Sequence, residues 1–313
     1  MIEKFNFYDI YGNLLPGISL ITLIWIPFGL VEGSWPTHEL SSALASLVLS
    51  YFVGHLIQIF ATSAVPADVK FSPLLRRYPS DFILDPEDKM LTLKIKNRLA
   101  EAVKKIFSPL DLEVTNPGKN ITDEISAQRN DAFRQARATL LKSDSKSYAQ
   151  QFEGLYAMMR GLAITFWFGC FYYLGWAGSY CHQDFLQWIA RSLLIGGLVA
   201  AVVLGFISNS INVSRGDEAQ KNKKRKVHIE RVAGLLFTLV ALSSGALIGW
   251  RKAMTPAQAI AFFFFGLGAF LCAVRCYGAY TFFTKEFARA VWSDFLNLQI
   301  SPAEPHEKQA GKK

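Results

Sequence analysis

The chain has 313 residues, 51% of them hydrophobic, with a mean hydropathy of +0.21 and a formal charge of +8. Its apolar residues gather in blocks near the roughly 20 residues that a helix needs to cross a hydrocarbon core about 30 Å thick. That excludes a wholly water-soluble globule. The four cysteines make no disulfide framework: Cys170, Cys272 and Cys276 lie in or beside apolar blocks, where a thiol acts as a small hydrophobe, and Cys181 stands alone in a short loop.

Six blocks read as transmembrane helices, at residues 14–31, 43–65, 161–178, 185–207, 232–250 and 257–274. The expected class is therefore an all-α polytopic membrane protein. The first block follows an aromatic-rich start with no small-residue cleavage site, so it reads as a retained span. Pro16 and Pro27 kink it, a device tolerated where neighbouring helices satisfy the freed carbonyls. In the second block His55 and Gln58 sit one helical turn apart. Polar groups in hydrocarbon are costly enough to need a partner or a watered cavity. The pair thus either faces an aqueous path or subunit contact, or makes an interhelical hydrogen bond within one subunit.

Residues 1–65 form an N-terminal transmembrane hairpin in this reading, and residues 66–156 a helical cytoplasmic domain. Within the latter, Leu91, Ile95, Leu99, Val103 and Ile106 recur at three and four, the spacing of one buried helix face, with Lys94, Arg98 and Lys105 on another. A second helix begins near Thr122, a good cap, and carries Arg134 and Arg137 on its outer side. A third starts after Asp144. Its stripe of Tyr148, Phe152, Leu155 and Met159 meets no breaker, which predicts a helix continuous into the third span. Thirteen acids against fifteen bases make this domain nearly charge-balanced.

Residues 157–275 hold the remaining four spans. Arg191, in the fourth, lies two turns inside its outer end, close enough to an interface to snorkel, as does Arg275 near the inner end of the sixth. Between the fourth and fifth spans runs KNKKRKVHIER. Lys223, Lys224, Arg225 and Lys226 at its centre either attract anionic headgroups or bind an anionic ligand. Ala241, Gly245 and Gly249, at intervals of four, mark a close helix–helix approach. Residues 276–300 read as an amphipathic cytoplasmic helix stacking Phe283, Phe287, Val291 and Phe295, which either lies in the headgroup plane or packs on other cytoplasmic helices. Residues 301–313 form a disordered tail.

Lysine and arginine concentrate in 66–156 (fifteen), 208–231 (seven) and the tail from 276 (five), while the intervening loops hold almost none. Because positive loops stay cytoplasmic, both termini face the cytoplasm of a bacterial inner membrane. Trp35, Trp176, Trp188 and Trp250 all fall at outer ends, the headgroup level that tryptophan favours.

The signatures of soluble enzymes are missing: there is no phosphate-cradling glycine loop, GxSxG, HExxH or CxxC. The five histidines have no metal-ligand neighbour at helical spacing. His182 and Asp184 read as solvated loop residues, and the sequons at 120 and 212 as chance. No catalysis, metal or cofactor is expected. Two function classes stand: an oligomeric channel or membrane-permeabilising effector gated by a cytoplasmic ligand, and a membrane anchor or scaffold that docks a soluble partner protein through 66–156. A lipid-modifying enzyme is disfavoured by the absence of acid and histidine clusters at the membrane face.

The layout of clustered spans, a short helical cytoplasmic segment with basic faces and a terminal helix over 283–298 resembles the membrane-spanning effectors of bacterial anti-phage defence systems. Among these it is similar to the nucleic-acid-gated channel of the Hailong system. The resemblance is architectural and transfers no residue. It implies a homo-oligomeric pore controlled by a nucleotide or oligonucleotide, with growth arrest on opening.

Overall fold

The computed structural model describes residues 8–35, 40–64, 69–70, 76–77, 79–85, 88–112, 114, 123–142, 148–180, 219–250 and 254–300; over 219–231 the description covers the backbone alone. In chain order these form a π-helical turn Asp9–Leu14, then α1 (Leu15–Glu32), α2 (Leu40–Ala64), α3 (Pro79–Phe82), α4 (Leu93–Ile106), α5 (Asp123–Lys142), α6 (Tyr148–Ser179), α7 (Ala219–Trp250) and α8 (Pro256–Ile300). Two short strands, β1 (Val69–Lys70) and β2 (Arg76–Arg77), pair antiparallel, Val69 opposite Arg77 and Lys70 opposite Arg76. Every other described element is helical.

Four described helical stretches are long and apolar enough to cross a membrane: Asp9–Glu32, Leu40–Thr62, Tyr148–Ser179 and Pro256–Gln299. Leu235–Gly249 in α7 is a shorter apolar run. The expected fourth span, with Arg191 and Trp188, lies outside the described residues, as do Thr122, Cys181, His182, Asp184, both sequons and the tail.

The chain divides into two compact units, residues 1–66 with 157–280, and residues 67–156 with 281–313. This redraws the expected domains. The N-terminal hairpin is no separate body, because α1 and α2 cluster with the later spans. The amphipathic C-terminal segment is no separate helix either: α8 continues from Pro256 to Ile300 without interruption. Nothing between Val274 and Phe283 breaks it; Gly278 is tolerated inside a helix at a cost of about 1 kcal/mol. At 45 residues α8 is about 67 Å long, more than twice the hydrocarbon thickness. Its buried positions, Phe262, Ala269, Ala273, Tyr280, Phe287, Val291 and Phe295, keep a three-and-four register throughout. The opposite face changes character along the way, from Phe263, Phe264, Leu267, Leu271 and Val274 to Arg289.

In the first unit α1 and α2 cross with almost no side-chain spacing. A Cβ at Gly17 would stand 1.8 Å from the Ser50 carbonyl oxygen, and one at Gly54 1.8 Å from that of Asn13. The end of α1 turns on Gly33 at φ +69°, whose N–H returns to the Gly29 carbonyl. An aromatic core of Tyr172, Tyr173, Trp176 and Phe262 packs on Leu23, Ile24 and Phe28. Trp176 is therefore buried in protein, not set in a headgroup belt as its position at a span end predicts, because the last turns of α6 belong to this core. Outside, α2 and α8 display Leu44, Leu47, Phe52, Leu56, Phe263 and Phe270 to the surroundings. In water such a surface is an aggregation liability; it is compatible with contact with lipid.

In the second unit the core gathers Leu99 and Val103 of α4, Ala132, Ala136 and Leu140 of α5, Ala149 of α6, and Phe287, Val291, Trp292 and Phe295 of α8. Of the two placements open to the C-terminal segment, packing on helices is the one adopted. Two expected core positions fail. Ile106 is 39% exposed because α4 ends there and Phe107 turns in to stack on Phe295, centroids 5.4 Å apart. Tyr148 is exposed because the buried face of α6 starts one residue later, at Ala149.

Candidate functional site

The polar residues of the second span separate. Gln58 is buried, and its amide is fully used: Nε2 donates to the Gly12 carbonyl at 2.5 Å and the Ala157 carbonyl at 2.8 Å, while Oε1 accepts from Arg160 Nη2 at 3.0 Å. Gly12 is four residues before Pro16, and a proline ring brings no N–H to the carbonyl at that distance. Gln58 fills the vacancy. The second proline has the same arrangement: Leu23 precedes Pro27 by four, and its carbonyl receives the Tyr173 hydroxyl from α6 at 2.9 Å. Tyr172 reaches the adjacent Ile24 carbonyl at 3.3 Å. Both orphaned carbonyls are thus satisfied by side chains from other helices, as backbone in hydrocarbon requires.

His55 goes the other way. It is exposed on α2 beside Phe52, Leu56 and Ile59, meets Tyr51 edge-on with ring centroids 4.5 Å apart, and makes no hydrogen bond among the described residues. Arg160, which sequence reasoning missed, is buried one helical turn beyond Ala157 on α6. Its register with Ala157 and Ile164 was the available signal.

Small residues bring α6 and α7 together. Ala241 is fully buried; a Cβ at Gly245 would stand 2.0 Å from the Tyr172 carbonyl oxygen, and one at Gly249 2.4 Å from Ser179 Oγ. On the facing helix, a Cβ at Gly175 would stand 2.2 Å from the Leu242 carbonyl oxygen.

In the second unit the principal charged cluster was not anticipated. Arg129, fully buried on α5, donates Nε–H to the Leu112 carbonyl at 3.0 Å and Nη1–H to both Asp81 Oδ1 and Asp85 Oδ1 at 3.0 Å. Ser126 donates to the second Asp81 oxygen at 2.8 Å, and the Trp292 indole to the Ser80 carbonyl at 3.1 Å. Lys96, also fully buried, donates Nζ–H to the carbonyls of Asp85 and Asp88. Burial pushes its ammonium below the usual lysine range, while Asp88 and Asp85 pull it back up and Arg129 adds to the depression. This cluster ties the loop after α3 to α4 and α5, with Asp81, Lys96 and Arg129 closed to solvent and Asp85 16% exposed.

The expected ligand-binding arginines lie on α5 and differ in surroundings. Arg134 is 82% exposed and 3.9 Å from Asp131. Arg137 is only half exposed, with Nη2 donating to Glu153 Oε1 of α6 and its guanidinium carbon 6.0 Å from the Phe287 ring centroid. Lys223, Lys224, Arg225 and Lys226 have helical backbone in the first turns of α7, and their side chains lie outside the described residues. Arg275 is exposed on α8. No group of three His, Cys, Asp or Glu suited to a metal occurs among the described residues.

Comparison of the chain with protein-family models, curated proteins and solved structures gave no match.

Proposed function

We propose that this is a six-span protein of the bacterial inner membrane with both termini and residues 67–156 in the cytoplasm. It acts there as an oligomeric channel or membrane-permeabilising effector in anti-phage defence, gated by a cytoplasmic anionic ligand such as a nucleotide or oligonucleotide. The observation that carries the oligomer is His55. Gln58 is consumed inside the subunit, whereas the imidazole stands on an apolar face, where hydrocarbon offers it nothing. An intramembrane ionisable group calls for a partner, and a second copy of the chain supplies one across a symmetric contact. Control by a ligand is supported by the cationic side chains of α5 and by α6 and α8, each of which runs unbroken through residues of both units.

The particle mass in detergent and dye release from proteoliposomes test this. A ring-sized particle that releases dye is expected, with His55→Leu reducing both. A monomeric wild-type chain that leaves vesicles sealed defeats the proposal. It would favour the anchor reading instead, which draws on the exposed apolar residues Leu93, Ile106 and Leu141 at the ends of α4 and α5, a surface suited to a soluble partner.

A further inference from the structure

The chemistry around Arg137 points to a site that the ion pair itself occupies. A guanidinium presents Nε–H and Nη2–H as one parallel fork, matched to two oxygens of a single oxyanion. Here Glu153 engages one prong: Nη2 donates to its Oε1, while the neighbouring Nε is buried and has no acceptor. The fork borders a small cleft with room for about one water, lined by Leu140, Ala149, Gln150 and Phe287. The Phe287 ring backs the guanidinium at 6.0 Å and Glu153 is 17% exposed, so one side of the pair is apolar while Arg137, 43% exposed, is open to solvent on the other.

We propose that this cleft binds the terminal oxyanion of a phosphate monoester, which displaces Glu153 and takes both prongs of Arg137. A phosphate dianion offers three oxygens and more charge than the resident carboxylate, and its third oxygen falls to the Gln150 amide at the rim. Because the enclosed space holds only about one water, the oxyanion is seated in the room that the Glu153 carboxylate vacates, and the remainder of the molecule stays outside. Glu153 lies on α6, one of the two helices common to both units. The exchange therefore releases a tie between α5 and α6, which deepens the gating reading above by naming where the signal is received. Such an oxyanion reaches the protein either on a soluble metabolite or on a lipid headgroup.

Calorimetry on the detergent-solubilised full chain with glycerol 3-phosphate, and binding to phosphatidylcholine nanodiscs with and without phosphatidic acid, separate these sources. Glu153→Gln removes the competitor and tightens binding about tenfold; Arg137→Met weakens it by about tenfold or more, the worth of one charge-assisted hydrogen bond. Since Arg137→Met strands Glu153, the double variant R137M/E153Q serves as the folded control and also fails to bind. Arg137-dependent binding only to the phosphatidic acid discs assigns the site to a lipid. Equal affinities for wild type, E153Q and the double variant, in both formats, overturn the site. Binding that follows Arg137 while vesicles stay sealed keeps the site and sinks the channel.

Discussion

The two units solve the same problem, holding helices together, with opposite materials. Where α1, α2, α6 and α7 meet, backbone lies against backbone through Gly17, Gly54, Gly175 and Gly245, and the carbonyls that prolines leave open are reached by the neutral donors Gln58 and Tyr173, with Arg160 behind Gln58. Where α4, α5 and the end of α8 meet, Leu99, Val103, Trp292 and Phe295 fill the interior, and the specific bonds are ionic, centred on Arg129. Lipid tails are as apolar as leucine, so bulk gives helices no reason to associate in a bilayer; close packing and hydrogen bonds remain. In water the burial of large side chains supplies the driving force. A charge can then be enclosed, provided it is completely paired.

That contrast can be broken at four strengths. Arg129→Met should be the most damaging, because Asp81 stays behind as a fully buried carboxylate beside the partly buried Asp85, a loss of about 3 kcal/mol or more. Limited proteolysis should cut within 67–156 while α1, α2 and residues 157–179 of α6 stay resistant; equal digestion of both would erase the distinction drawn above. Gly54→Val should do the converse, costing roughly 3 kcal/mol, the upper end for overpacking, since its first carbon already collides with the Asn13 carbonyl. Thermal unfolding in detergent should fall with the second unit's protease pattern unaltered. Gln58→Leu removes two captured carbonyls and the Arg160 contact, and about 1–2 kcal/mol is expected from hydrogen bonds in a membrane; a neutral result would mean that the Pro16 vacancy is satisfied otherwise. Arg134→Gln, on an 82% exposed side chain, should stay within about 0.5 kcal/mol in the same assay.

Sequence reasoning located what depends on runs and periods. The four long apolar helices, the continuity of α6 from Tyr148 and the burial of Leu99, Val103, Val291 and Phe295 all follow from local hydropathy. The prolines announced that carbonyls would need partners, and Gln58 was singled out as costly, yet nothing local joined them. The link is a contact 46 residues long, and for Tyr173 with Leu23 one of 150. The buried charges left a fainter trace. Arg129 continues the register of Ile125, Ala132, Ala136 and Leu140, and Lys96 that of Leu99 and Val103, so each is a charge inserted in an apolar stripe. Their partners, Asp81 within a four-residue helix and the carbonyls of Asp85 and Asp88 in the irregular chain after it, sit where periodicity carries no information.

The Tyr173 hydroxyl on the Leu23 carbonyl also sets an order of assembly. On the membrane-spanning reading proposed above, the first helix leaves the ribosome long before residue 173 exists, and its proline-broken rung enters the bilayer without that donor. Until α6 arrives, the nascent N-terminal segment must shelter that oxygen against water, lipid headgroups or an insertion factor. A transcript truncated ahead of codon 173 should therefore yield a product that quality-control proteases clear, even though both of its apolar helices are complete.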